Sequence, residues 1–238
     1  MFVGHVGAGL AIKAAAPRLN LGALLAAALF ADLLLWTLVG LGVERVGEPI
    51  RAGGARFLTF TFPYSHGLVA SAIAVLAAGA AAWVALGVRV PHRTRLATAL
   101  ACAVASHVVL DLVVHIPDLP VAGDASPKLG LGLWRAMPVA LAVEIGLAAA
   151  ATLAWLAIVR PTRGRGAVIV IAVAITAALT AAGPYVGGDL PAPRELAATS
   201  FVVLAVVVAA GFVAERRVGL LAPAGRPGAT PGAGKARL

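Results

Sequence analysis

Repeated apolar runs of membrane-spanning length constrain this chain more than any other feature. Six of them, residues 19–43, 67–88, 96–116, 133–159, 167–182 and 197–214, are rich in Ala, Val and Leu. A helix rising about 1.5 Å per residue needs about 20 residues to cross a hydrocarbon core about 30 Å thick. Lipid offers no partner to an open backbone group, so such runs must be helices or strands of a closed barrel. None shows the alternating polarity of a barrel strand. The expectation is an all-α fold, a polytopic transmembrane helix bundle of about six spans. Composition agrees, with 61% hydrophobic and 12% charged residues, outside the range of ordinary soluble domains. Gly and Ala throughout, as in "AAGAAAW", let neighbouring helices approach closely.

The net charge of +9 does not point to nucleic acid, because the basic residues sit in short loops and near the C-terminus. Lys13 and Arg18, "RVPHRTR", "RPTRGR", and Arg216 with Arg217 alternate along the chain with connections poorer in basic residues. The positive-inside rule puts these four on the cytoplasmic side. Residues 44–65, 117–132 and "GPYVGGDLPAPRE" would face outward. Residues 1–218 are expected to form one membrane domain with its polar site within 1–145, and the Pro/Gly-rich residues 219–238 a disordered, basic cytoplasmic tail. Cys102 is the only cysteine, which rules out an intramolecular disulfide. The opening "MFVGHVGAGLAIKAAAP" is too short for a span and lacks the basic start of a signal peptide, so it reads as a half-helix. It either lies along the interface or pushes into the bundle, and His5 separates the two: a buried His needs a partner or a metal.

Ionisable residues recur at membrane depth. At 1.5 Å per residue, His107 lies about 17 Å up its span, Asp32 about 18 Å up another, and an inserted half-helix carries His5 to a similar level. Glu144 is also near mid-span. In "SHVVLDLVVH", His107, Asp111 and His115 are spaced by four and drift by about 80° around a helix, forming one polar stripe. His66 starts its span at the level of His115, and a tilt or re-entrant start would bring it to Asp111. A charge at the bilayer centre costs at least about 2.5–3.5 kcal/mol on insertion scales. Imidazole mixed with carboxylate is a ligand set for zinc, iron or manganese, and a divalent ion would neutralise the acids. Proton relay or mutual pairing offsets the cost equally well, and a single His–Asp pair four apart is ordinarily an intrahelical hydrogen bond. His115 reads as solvated near the outer surface, His92 as a loop residue without function, and Asp118, Asp124 and Asp189 as solvated.

The order "GHVGAGLAIK", "FADLLLW", "PYSHGL", "SHVVLDLVVH" resembles the family of inner-membrane metal-dependent hydrolases that includes LexA-induced, DUF457-like members. The likeness covers about the first 145 residues. It implies His5, Asp32, His66, His107 and Asp111 as the metal-binding set. The chain departs from the wider family in having "FAD" for Leu-Pro-Asp, Leu34 where a second Asp is common, and "TFPY" for the His-Arg-Gly before the Thr-His motif. Those losses would reduce a two-metal site to one, or mark a subfamily with another role.

The leading expectation is an integral membrane hydrolase holding one or two divalent ions, zinc foremost, with a metal-activated water as nucleophile. Glu144 or Asp111 would serve as general base. Membrane lipids surround it, and a lipidic or lipid-linked ester or phosphoester would enter sideways between helices. Lys128 and Arg135 could hold an anionic headgroup, though Trp134 and Arg135 are also ordinary interfacial anchors. The rival expectation is a transporter or permease using the His/Asp stripe as an ion or proton path, set against the absence of any echo of that stripe in the last two spans. A non-catalytic metal-stapled scaffold is the third.

Overall fold

The computed structural model describes residues 2–52, 54–216 and 219–222. Eight α-helices dominate: α1 (Phe2–Ala15), α2 (Leu21–Ala28), α3 (Phe30–Gly40), α4 (Leu68–Leu86), α5 (Arg93–Val114), α6 (Met137–Val159), α7 (Arg163–Ala182) and α8 (Pro193–Glu215). Five of them, α4 to α8, are long and apolar enough to cross a membrane, α6 together with the 3₁₀ turn that precedes it, and the bent pair α2 with α3 passes the same test when taken together, as a broken span or a re-entrant loop. The expected all-α bundle is therefore present. On α4, Ile73, Leu76 and Val84 are 62, 73 and 70% exposed. Apolar exposure on this scale is what a helix facing lipid presents, and the fold is that of an integral membrane protein.

Two expectations need correcting. The run 19–43 is not one straight span: it bends by 58° between α2 and α3, at Leu29. Neither Gly nor Pro stands at the break. What holds it open is tertiary, because the carbonyl of Ala28 accepts a hydrogen bond from His107 Nδ1, 2.8 Å away on α5. The second correction concerns residues 219–222, which are not a free tail. Asn20 N–H donates to Leu220 O, Ala222 N–H donates to Arg18 O, and Leu19 bridges Leu221, so this segment pairs antiparallel with the α1–α2 turn. Residues 223–238 lie outside the described residues.

The half-helix α1 is inserted. Val3, His5, Val6 and Leu10 are buried, with Val3, Val6 and Leu10 in one core with Trp155 of α6, Leu21 and Leu25 of α2, and Leu204 of α8. Glycine makes this seat possible: a Cβ on Gly7 would lie 2.8 Å from Ala148 Cα, so α1 and α6 meet backbone to backbone. Gly211 of α8 touches Gly22 of α2 in the same way, with a built Cβ 2.7 Å from Gly22 Cα.

The basic turns gather at one end of the bundle. Arg18 donates to Pro91 O, joining the α1–α2 and α4–α5 turns, and Lys13 pairs with Glu215 at the end of α8. The opposite end carries small antiparallel hairpins: β1 (Arg45–Val46) with β4 (Phe60–Thr61), β2 (Ile50–Ala52) with β3 (Ala55–Phe57), and β5 (Leu119–Pro120) with β6 (Lys128–Leu129). They fold back over the ends of the helices and cover the polar residues beneath.

Candidate metal centre

Four separate elements bring His5, Asp32, His66, His107 and Asp111 to one place. The inserted α1 supplies His5, the first turn of α3 supplies Asp32, and α5 supplies His107 and Asp111 one turn apart. His66 comes from a turn that dips towards α5 before α4 begins, held by its N–H on Phe62 O. Four of the five are buried almost completely, and the Asp32 side chain is 19% exposed.

The donor atoms converge at ligand spacing. His107 Nε2 lies 3.1 Å from Asp111 Oδ2, 3.7 Å from Asp32 Oδ1 and 3.2 Å from His66 Nε2. His66 Nε2 lies 3.4 Å from Asp111 Oδ2 and 3.6 Å from Asp32 Oδ1, and His5 Nε2 lies 3.1 Å from Asp111 Oδ1. Two ligands held about 2.0–2.1 Å from a tetrahedral ion are separated by about 3.4 Å, so these separations match the edges of a coordination polyhedron. Two overlapping triads, His5–Asp32–His107 and His66–His107–Asp111, each bring one ligand atom per residue within 4.8 Å of the others, and they share His107.

The outer hydrogen bonds decide the tautomers. A backbone carbonyl only accepts, so His107 Nδ1 carries the proton it donates to Ala28 O. Ser65 spends its single hydroxyl proton on Glu44 Oε2 at 2.6 Å, so its oxygen accepts from His66 Nδ1–H at 2.8 Å. Glu44 is itself pinned by the N–H groups of Tyr64 and Ser65, both 2.9 Å from Oε1. With both Nδ1 atoms protonated, neutral rings would aim their Nε2 lone pairs at each other across 3.2 Å. Such a pair repels unless a proton or a cation lies between.

Glu44 and Ser65 were missed in the sequence. Glu44 sits in what reads as an outer loop, and nothing local says that it folds 21 residues forward onto Ser65; the only available signal was the Ser directly before His66. His115 was misjudged, because it is 4% exposed rather than solvated. The segment after α5 turns back over it, with Gly132 N–H on His115 O and Trp134 against its ring at 4.1 Å between centroids. Its Nδ1 pairs with Asp118 Oδ1 at 3.0 Å, so Asp118 is also part of the structure rather than a solvated loop residue, while its Nε2 stands 3.9 Å from Asp111 Oδ2. His92 and Asp189 are exposed, as expected, and Asp124 pairs at the surface with Lys128. Arg135 is exposed.

Glu144 belongs to neither triad. It is buried and accepts from the Gly4 N–H, one of the opening N–H groups of α1, whose unsatisfied end is thereby capped inside the bundle. Its other oxygen has no partner among the described residues.

Two cavities adjoin the cluster. One, of about 320 Å³, has Asp32, His66, Asp111 and His115 on its wall, with Trp36, Phe60, Leu179 of α7 and Thr199, Ser200 and Val203 of α8 completing a mostly apolar lining. The second, of about 460 Å³, reaches Glu144 and is lined by Leu141, Met137 and Leu196. Phe2, Phe60, Trp134 and Leu179 line both. Together these features define the class: an integral membrane helical bundle with a buried His/Asp centre that could hold a metal ion, beside a largely apolar cavity. Comparison with family models, with curated proteins and with solved structures finds no significant match.

Proposed function

We propose that His5, Asp32, His66, His107 and Asp111 hold one or two divalent ions, zinc foremost, and that the protein is a membrane hydrolase of lipidic or lipid-linked esters or phosphoesters. The facing Nε2 atoms of His66 and His107 carry the proposal. A cation between them relieves their repulsion and neutralises the Asp32 and Asp111 carboxylates together, whereas one shared proton relieves the repulsion but balances only one of the two carboxylates. When bound, the ion supplies a water acidic enough to lose a proton near neutral pH.

The chain's own residues do the rest. Ser65 and Ala28 orient the two imidazoles, and the flanking aromatic and aliphatic residues exclude bulk water from the polar wall. The apolar part of the lining, with Leu179 of α7 and Val203 and Leu204 of α8, suits a substrate with a hydrocarbon part, entering from the lipid side. An aspartate not committed to an ion, or Glu144 reached through the adjoining cavity, takes the proton from the attacking water. The resemblance of the first 145 residues to membrane metal-dependent hydrolases supports the same reading. The positive-inside rule orients the basic end, and with it the last helix end, to the cytoplasm.

The test is metal analysis of detergent-purified protein prepared without chelator, beside His107→Ala and Asp111→Asn. Stoichiometric divalent metal in the wild type, diminished in both variants, is expected, and hydrolysis of lipid phosphoesters is then screened with the loaded protein. Wild-type protein that holds no metal even after reloading sinks the proposal. A second reading, transport, is favoured by the break between α2 and α3 and by the inserted half-helix α1, both features of ion-coupled carriers. Metal- or proton-driven flux in proteoliposomes, without hydrolysis, is the result that would put it first.

A further inference from the structure

A separate cavity of about 300 Å³ opens at the basic end of the bundle, far along α1 and α6 from the His/Asp centre. Its wall includes Lys13, Trp155, Arg160, Thr162, Arg165 and Glu215. Trp155, a wall residue of this cavity, is 2% exposed, yet its indole Nε1–H has no acceptor among the described residues. An indole N–H only donates, so whatever completes it must be an acceptor.

Everything else around the cavity is also rich in donors. Helix α7 starts here, after Thr162, whose side chain makes no capping hydrogen bond, so the opening N–H groups of a 20-residue helix and the positive end of its dipole face this region. Arg165 has no ion-pair partner among the described residues. Arg160 spends only its Nε, on Ala157 O at 3.3 Å. The cavity has one acid, Glu215, and Lys13 neutralises it at 2.7 Å while donating its other protons to Pro17 O and Leu19 O. The Lys13–Glu215 pair thus contributes no net charge, and two guanidinium groups remain in surplus.

We propose that this cavity binds a phosphate group, in contact with the Trp155 Nε1–H, the Arg165 guanidinium and the N-terminus of α7. A phosphate oxygen is the acceptor that the buried indole lacks, and its charge answers the surplus of arginines. The group belongs to an anionic lipid headgroup at this end of the bundle or to a soluble phosphate, and either satisfies the same donors.

The experiment measures thermal unfolding of the full chain in neutral detergent, at constant ionic strength, with inorganic phosphate or dioctanoyl phosphatidylglycerol. Dioctanoylglycerol, which lacks the phosphate, is the control. A saturable rise in Tm that Arg165→Gln weakens about tenfold or more, the loss of one charge-assisted hydrogen bond, is expected. Trp155→Phe should weaken it several-fold. If Trp155→Phe does not fold, the Arg165→Gln comparison decides alone, because Arg165 lies partly exposed and outside the core. A response to phosphatidylglycerol and not to inorganic phosphate identifies a lipid headgroup, and a response to both identifies the phosphate itself. No saturable shift, or an equal shift in wild type and Arg165→Gln, means an adventitious ion only and overturns the proposal.

Discussion

Replacing Ser65 with Ala tests the link between tautomer control and metal binding with the removal of one oxygen atom. That oxygen accepts from His66 Nδ1–H at 2.8 Å and donates to Glu44 at 2.6 Å. Its loss leaves a buried imidazole N–H without an acceptor, which costs about 1–3 kcal/mol. The proton is then free to move to Nε2, the nitrogen that faces His107, where it competes directly with a cation. Loss of an outer hydrogen-bond partner of a metal-bound His lowers affinity by about 10–100-fold. That corresponds to about 1.4–2.7 kcal/mol, within the range expected from the hydrogen bond alone. The turn itself should survive, because Glu44 keeps its two bonds to the Tyr64 and Ser65 N–H groups. Competition for zinc against a chromophoric chelator reads the affinity, and the melting temperature of the chelator-stripped protein reads the fold. Ser65→Ala should lose affinity with little change in the stripped protein's melting, and Ser65→Thr, which keeps the hydroxyl, should recover most of it. An affinity within twofold of wild type for Ser65→Ala, when His66→Ala abolishes binding, would refute the reasoning.

Two other substitutions probe how the site is assembled. Gly7→Val places a Cβ where Ala148 Cα stands 2.8 Å away, so α1 should be displaced and His5 lost from the cluster; the expected outcome is metal affinity no better than that of His5→Ala, and wild-type affinity would show that α1 has room to shift without consequence. Lys13→Met strands Glu215 and should destabilise the bundle by about 3–5 kcal/mol, an amount that the double change Lys13→Met with Glu215→Leu should largely restore; unfolding in mixed micelles measures both, and equal stability of single and double variants would count against the pair.

The helices were legible because apolar length is a property of consecutive residues. Five spans appear within a few residues of the expected runs, and Asp32, His107 and Asp111 declared themselves by being ionisable where ionisation is costly. The bend at Leu29 was not legible, since the partner that holds it, His107, lies 79 residues from Ala28. For the same reason the sequence left the position of α1 open between interface and interior; it is decided by close contact with Ala148 on α6. His115 was misplaced by counting residues along an isolated helix, an exercise blind to a loop that folds back over the helix end. Glu144 was given a level and not a neighbour, and its neighbour is the N-terminus of α1.

The seating of α1 also bears on how the protein is made. This segment precedes in the chain nearly all of the surfaces it packs against, and it is too short to be stitched into a bilayer as a span in its own right. Its bed on α6 and its anchor at Glu215 emerge from the ribosome more than 100 residues later. The seat of residues 2–15 is therefore complete only after α6 and the end of α8 have been made. All five residues of the centre precede α6 in the chain, so the helix that seats His5 is made after the last residue it has to meet.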